Sequence, residues 1–301
     1  MEGALKMKNI RKTLIGAALA TAFLPNIASA GFLNNWKLDL DGAGGTAAVT
    51  VNEFIDLTGV SYIKNTFGGP PGTFTFTDSG AFVSNSHDGG ASYTGFLGAR
   101  ELTGVLSGAT GTGSLTTGIV NFGPGGTLKL YSDTALDFAT AAGSAVSTYG
   151  ANNGIAPGTV GGLIGTFTLL SGGGPIDPVT AVPNGFLTLA FKADSLAPGY
   201  WFDSMGTDLS TIAGLTPPLL FGFATTNASY VGNPSPLVVA EIVGELAGGA
   251  VGYTNVAPND FVVSNNGQFR LSVPEPGTVA LMGLGLLAFG LSGARRLRNV
   301  F

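Results

Sequence analysis

Five clusters of turn-forming residues break the middle of this chain into short pieces. They are Gly68-Gly69-Pro70-Pro71-Gly72, His87-Asp88-Gly89-Gly90, Gly123-Pro124-Gly125-Gly126, Gly172-Gly173-Gly174-Pro175 and Pro183-Asn184-Gly185. Glycine supplies positive φ, proline fixes φ, and asparagine and aspartate bond back to their own backbone, so each cluster predicts a turn. No segment between them holds a long 3.6-residue apolar period. Short apolar or alternating runs recur instead, at residues 47–51, 60–67, 73–77, 118–122, 127–131, 163–170, 186–191, 219–223, 237–243 and 268–273. Alternation such as Phe74 and Phe76, or Phe269, Leu271 and Val273, sends one face inward and the other to water. The pattern predicts an all-β body, an antiparallel β-sandwich of jelly-roll type.

Composition agrees with strands and turns. Glycine is 49 of 301 residues and charged residues are only 10 %, yet 45 % are hydrophobic, enough to build a core. The Ala-rich stretch 133–146 reads as a short helix or an extended loop. The glycines and prolines of 171–178 read as a long loop within one sandwich, because composition does not change across them. No fixed-period repeat is present.

The two ends differ from the body. Residues 7–30 carry a basic start (Lys8, Arg11, Lys12), a short apolar core, the helix breaker Pro25, and small residues at Ala28 and Ala30. This is the pattern of a secretory signal peptide cut between Ala30 and Gly31, and Met7 is a candidate initiator. At the other end, Pro274, Glu275, Pro276 and Gly277 precede an uncharged apolar run over 277–294 and a basic cluster of Arg295, Arg296 and Arg298. An apolar run closed by arginines is a transmembrane-helix candidate at the short end of the range. The arginines belong on the cytoplasmic side. The expected organisation is a leader over 1–30, a secreted β-rich domain over 31–273 and a tail over 274–301.

The tail resembles the PEP-CTERM sorting signal of exopolysaccharide-producing Gram-negative bacteria, through motif, helix, basic end and terminal position together. The resemblance implies processing by exosortase, a membrane transpeptidase-like enzyme, after passage through the Sec translocon and signal peptidase. It implies transient anchoring in the inner membrane, then delivery to the cell surface or matrix. Four segments are similar to a flocculation-associated subgroup: Ser61-Tyr62-Ile63, the stretch from Thr75 to Phe82, the stretch from Gly126 to Tyr131, and the stretch from Pro198 to Asp203. That likeness implies a role in cell aggregation within a polysaccharide matrix.

The body offers little chemistry. Between positions 31 and 273 stand 16 acidic and 6 basic residues, a net charge of −10. Such a surface repels phosphate backbones, which makes nucleic acid a poor partner. There is no cysteine, so thiol catalysis and Cys-ligated metals are excluded. His87 is the lone histidine, and the nearby Ser92 lacks a nucleophile elbow because Thr94 replaces the needed glycine. Asp39 and Asp41 open like a calcium loop, but Ala43 and Thr50 stand where ligands are required. The pairs Asp203/Asp208 and Glu241/Glu245 are candidates for glycoside hydrolysis, although sequence places neither across a cleft. Tyr200 and Trp201 with Asp203 could form a sugar-stacking platform, against the reading that the aromatics fill the core. The expectation is a non-enzymatic surface or matrix protein without cofactor and associated with exopolysaccharide. The alternative is a secreted polysaccharide hydrolase or carbohydrate-binding module.

The exported protein should begin at Gly31 on N-terminal sequencing. A sequence starting at Met1 or Met7 would contradict the leader.

Overall fold

The computed structural model describes residues 30–44, 48–92, 100–133, 136, 138–140, 162–216, 218–249 and 252–274. Fourteen strands occur among them. They are β1 (Ala30–Phe32), β2 (Trp36–Leu38), β3 (Val49–Val51), β4 (Ile55–Phe67), β5 (Thr73–His87), β6 (Ala91–Ser92) and β7 (Glu101–Ser114). The rest are β8 (Ile119–Phe122), β9 (Thr127–Asp133), β10 (Leu163–Pro175), β11 (Phe186–Leu196), β12 (Trp201–Phe202), β13 (Phe221–Tyr230) and β14 (Asp260–Pro274). A short 3-10 turn over Leu209–Thr211 and a helical segment, Pro236–Val238 continuing as a π-helix over Val239–Leu246, interrupt them.

The all-β expectation holds, but the sheet closes on itself as a barrel instead of splitting into the two sheets of a sandwich. Around the ring β5 pairs β4, β4 pairs β14, β14 pairs β13, β13 pairs β11 and β11 pairs β10. The short β8 and β9 lie end to end in one strand position between β10 and β7, and β7 pairs back to β5. Every pairing is antiparallel, and there are eight strand positions. Following the register from Ile55 through Phe269, Ala224, Leu189, Gly172, Phe122, Gly111 and Phe76 returns to β4 at Asn65. The path gains ten residues, from 55 to 65. With eight strands about 4.8 Å apart, that stagger corresponds to a strand tilt of roughly 40°, within the usual range for barrels. Closure leaves the eight barrel strands without a free edge.

The lumen is packed through pairing of rings with glycines. A side chain at Gly113 would overlap the Phe74 ring (2.1 Å), and one at Gly111 would overlap Phe76 (2.4 Å). Gly222 likewise leaves room for Phe269, and Gly59 for Phe82. This explains why β7, rich in glycine and threonine, is a strand that the apolar runs do not reveal. It also corrects Gly172-Gly173-Gly174-Pro175, expected as a turn. These residues lie inside β10, where Gly172 and Gly174 accommodate Leu189 and Leu187. The packed lumen keeps a cavity of about 40 Å³, lined by Leu57, Phe82, Leu189, Phe191 and their neighbours. Many outward positions are polar, including Thr75, Thr77, Thr110, Thr112, Lys129 and Thr188.

One outer face is apolar and covered. Tyr62, Ala81, Val105 and Val262 pack against Val238, Ile242 and Val243 of the helical segment. Residues 237–243 were expected as a strand. Helix wins because Ser235 caps the first turn, its Oγ accepting from Val238 N–H at 3.3 Å, and Pro236 sits at the first position. Among the described residues no helix is long and apolar enough to cross a membrane. The expected span over 277–294, the leader before residue 30 and most of the 133–146 stretch lie outside the described residues.

Gly222→Ala would put a methyl 2.4 Å from the buried Phe269 ring. It should lower stability by about 1–3 kcal/mol, seen as a lower urea midpoint. Gly68→Ala, which meets open space, should stay within about 0.5 kcal/mol of wild type. Equal midpoints for the two variants would contradict the packed lumen.

Candidate functional site

The barrel has two unlike ends. At the end where β14 finishes, the small sheet of β12, β2 and β3 lies against the strand ends. Trp36 and Trp201 stack there with ring centres 5.7 Å apart, and Trp201 meets Phe167 edge-on. Phe167 in turn meets Phe269 at 5.3 Å. Trp201 Nε1–H donates to Ile164 O at 2.8 Å, satisfying the indole. Trp36 and Trp201 are both 0 % exposed. The aromatics are therefore a plug, and Trp201 leaves no face for a sugar. Tyr200 is also buried. Asp203 is occupied with its own turn, its Oδ1 accepting from Met205 N–H and Thr207 N–H. Partial burial works against its charge, but the Thr207 and Met205 bonds prevail and hold its carboxyl below the usual range. The candidate platform of Tyr200, Trp201 and Asp203 is corrected accordingly: Tyr200 and Trp201 are buried, Trp201 by stacking on Trp36, and Asp203 is bound into its own turn.

The other candidates are also built into turns. Asp41 N–H donates to Asp39 Oδ1 at 3.2 Å, and Ala43 N–H donates to Asp41 Oδ1 at 2.8 Å. The hydrogen bond with Asp39, then the one from Ala43, lower the Asp41 carboxyl. Asp39 is fully buried. Among the described residues no cluster of three metal-ligating side chains occurs. Asp208 accepts from Ser210 N–H and from Gly199 N–H, and so caps the short helical turn that follows. Glu241 and Glu245, the other candidate pair for glycoside hydrolysis, stand on one helical segment, Glu241 buried and Glu245 exposed.

His87 is buried at the end of β5, with Nδ1 2.7 Å from Asp88 Oδ2. The Asp88 carboxylate also accepts from the backbone N–H groups of Asn52, Glu53 and Phe54. Burial opposes its charge, but His87 and these three donors outweigh it and lower the Asp88 carboxyl. The His–Asp pair is a clasp between two loops.

Two features escape the sequence. The first is Asp78, inside the barrel beside Ile63 and Ala109. It hydrogen bonds to Ser61, whose Oγ accepts from Asn265 Nδ2 at 2.9 Å, and its own Oδ1 is buried without a partner. The second lies at the opposite end from the plug, a depression of about 500 Å³ between the β10–β11 loop and the start of β14. Tyr230, Asp177 and Asn184 line it. Tyr230 is 43 % exposed, and its hydroxyl donates to Asn255 O at 2.7 Å. Its ring also rests edge-on against the buried Phe261. Asn255 is tied in turn to Val231 O and Gly232 O through Nδ2 and to Val262 N–H through Oδ1. Asp177 Oδ1 accepts from Val179 N–H, Thr180 N–H and Thr180 O–H, and Thr180 and Val179 lower its carboxyl. Ring and carboxylate are both held in place.

Of the terminal candidates, Ala30 and Gly31 fall in β1 and Pro274 ends β14. Ala28, Glu275, Pro276, Gly277, Arg295, Arg296 and Arg298 lie outside the described residues.

Burial pushes the Asp78 carboxyl up to about 7, with the Ser61 hydrogen bond opposing only part of the shift. Folded protein then keeps a proton that the unfolded chain releases near pH ~4. The Asp78 contribution is present below that pH and is lost as pH rises through 7. Between pH 5 and pH 8 wild type should lose roughly 2–3 kcal/mol by urea unfolding, and Asp78→Asn should lose little. Asp41, Asp88, Asp177 and Asp203, all lowered, act in the opposite sense and below this window. Equal losses in wild type and variant would contradict the buried acid.

The PEP-CTERM protein-sorting motif matches residues 272–296. No curated protein and no solved structure matches the chain. The match begins at Ser272, at the foot of the last barrel strand, and runs through the expected apolar span to Arg296. The chain carries the PEP-CTERM protein-sorting motif, which implies export, transient anchoring in a membrane and sorting by exosortase.

Proposed function

We propose that this protein is a non-enzymatic component of the extracellular matrix or cell surface, associated with exopolysaccharide and acting in biofilm or floc formation. The observation that carries this reading is the position of the motif directly after a closed barrel. Cutting at Pro274–Gly277 would release every barrel strand intact and leave the apolar tail in the inner membrane. Signal peptidase and the Sec translocon handle the leader in the same scheme.

A non-enzymatic role is supported by how the candidate groups are used. Asp39, Asp41, Asp88, Asp203 and Asp208 each hold a turn or a loop through backbone N–H groups. The lumen, with its cavity of about 40 Å³, has no room for a polymer chain. A closed barrel with a polar exterior suits a protein that persists outside the cell without disulfides.

Replacing Pro274, Glu275 and Pro276 with alanines should leave the exported protein with its C-terminus at Phe301 and in the inner-membrane fraction. Wild type should end near the motif and appear in the matrix fraction. Gene deletion should reduce cell aggregation. A wild-type protein that keeps Phe301, or a deletion strain that aggregates normally, would contradict the proposal.

A further inference from the structure

We propose that the depression around Tyr230 binds a neutral saccharide chain. The inference rests on the matrix reading above and gives that reading a contact surface. Three observations carry it. Tyr230 is a large aromatic exposed at the end of a strand, and its ring is fixed at both ends, by Asn255 O and by Phe261. A pyranose presents an apolar C–H face, and a pre-oriented ring stacks on it at low entropic cost.

Next to the ring stand polar groups that are not used up by the protein. All three hydrogen bonds to the Asp177 carboxylate go to Oδ1, so Oδ2 remains an acceptor. Asn184 is exposed, and its side chain makes no hydrogen bond within the described protein. A carboxylate oxygen and an amide beside an aromatic face match the hydroxyls around a sugar ring. The volume, about 500 Å³, is that of a ligand-sized site.

Charge selects the class of saccharide. The lining holds Asp177 and no basic residue, and the body carries a net charge of −10. A polyanionic chain would be repelled, so the fit is to neutral sugars. A larger depression of about 760 Å³ at the same end, beside Thr75, Thr112 and Asn121, has no charged residue, and its one aromatic, Phe74, is buried. It lacks the stacking face.

Topology places the site well for this use. β14 begins beside Tyr230 and ends at the plug, where the sorting motif begins. The twelve residue steps from Asp260 to Ser272 run about 40 Å along the strand, or roughly 30 Å along the barrel at a tilt of about 40°, so the site and the first residue of the motif lie at opposite ends. Phe186, Val179 and Val256, all more than half exposed, lie at the same end.

The test uses the exported protein, with cellohexaose and N-acetylchitohexaose as neutral probes and polygalacturonate as the anionic one. Saturation-transfer NMR should show contact with at least one neutral hexamer and none with polygalacturonate. Tyr230→Ala should weaken the neutral contact at least tenfold and Asn184→Ala several-fold, while Tyr230→Phe keeps most of it. Asn184 is exposed, so its variant reports on the site even if Tyr230→Ala fails to fold. No contact with either neutral hexamer, a preference for polygalacturonate, or unchanged binding in both alanine variants would overturn the site. Retention on polysaccharide extracted from the producing cells separates the two claims. If wild type and Tyr230→Ala are retained equally, the site falls and the matrix reading stands. If wild type washes through, the matrix reading falls and takes the site's role with it.

Discussion

The fit of aromatic rings against glycines is the contact on which the rest of this molecule depends. An eight-stranded barrel has an interior only wide enough for side chains to fill it. Phenyl rings pointing inward from one strand therefore need positions on the next that carry no side chain. Gly113, Gly111, Gly59 and Gly222 meet that need for Phe74, Phe76, Phe82 and Phe269. The glycine-rich composition follows from this as well as from turns. The plug of Trp36 and Trp201 continues the same packing through Phe167 to the small sheet at one end. Asp78, with Ser61 and Asn265, is a polar group within it, and its environment favours the protonated acid.

Much of the body could be read from the chain, and the failures have physical reasons. Alternation at Phe74 and Phe76 identified a strand with one buried face, and that face is the lumen. A sandwich and a barrel share this alternation, because in both only one face of each strand is buried. What separates them is the register that brings β7 back to β5, and register depends on pairings far apart in sequence. The triple glycine at 172–174 looked like a turn because glycine marks turns and close approaches alike. Residues 237–243 read as a strand because valine and isoleucine dominate them, whereas the cap at Ser235 and the proline at Pro236 start a helix there.

Sites show the same division. The sorting tail was readable because its signal is local: motif, apolar run and arginines follow one another along the chain. The Tyr200-Trp201-Asp203 cluster was equally local, but its neighbours in space, Trp36 and Phe167, decide its burial. The depression at Tyr230 had no local signal, since Asp177 and Tyr230 meet only through the pairing of β10, β11 and β13. The result is a division of labour between sorting signal and barrel. The sorting information follows the last strand at the plugged end, and the exposed aromatic sits at the other.

Closure of the barrel is the claim most directly open to measurement. Cross-strand NOEs with slow amide exchange should be found at all eight seams, including Phe76–Gly111 between β5 and β7, Phe122–Gly172 between β8 and β10, and Ala224–Phe269 between β13 and β14. A two-sheet sandwich would lack contacts at two of the seams and show fast exchange along the strands that border them. Finding two such open seams would contradict the account.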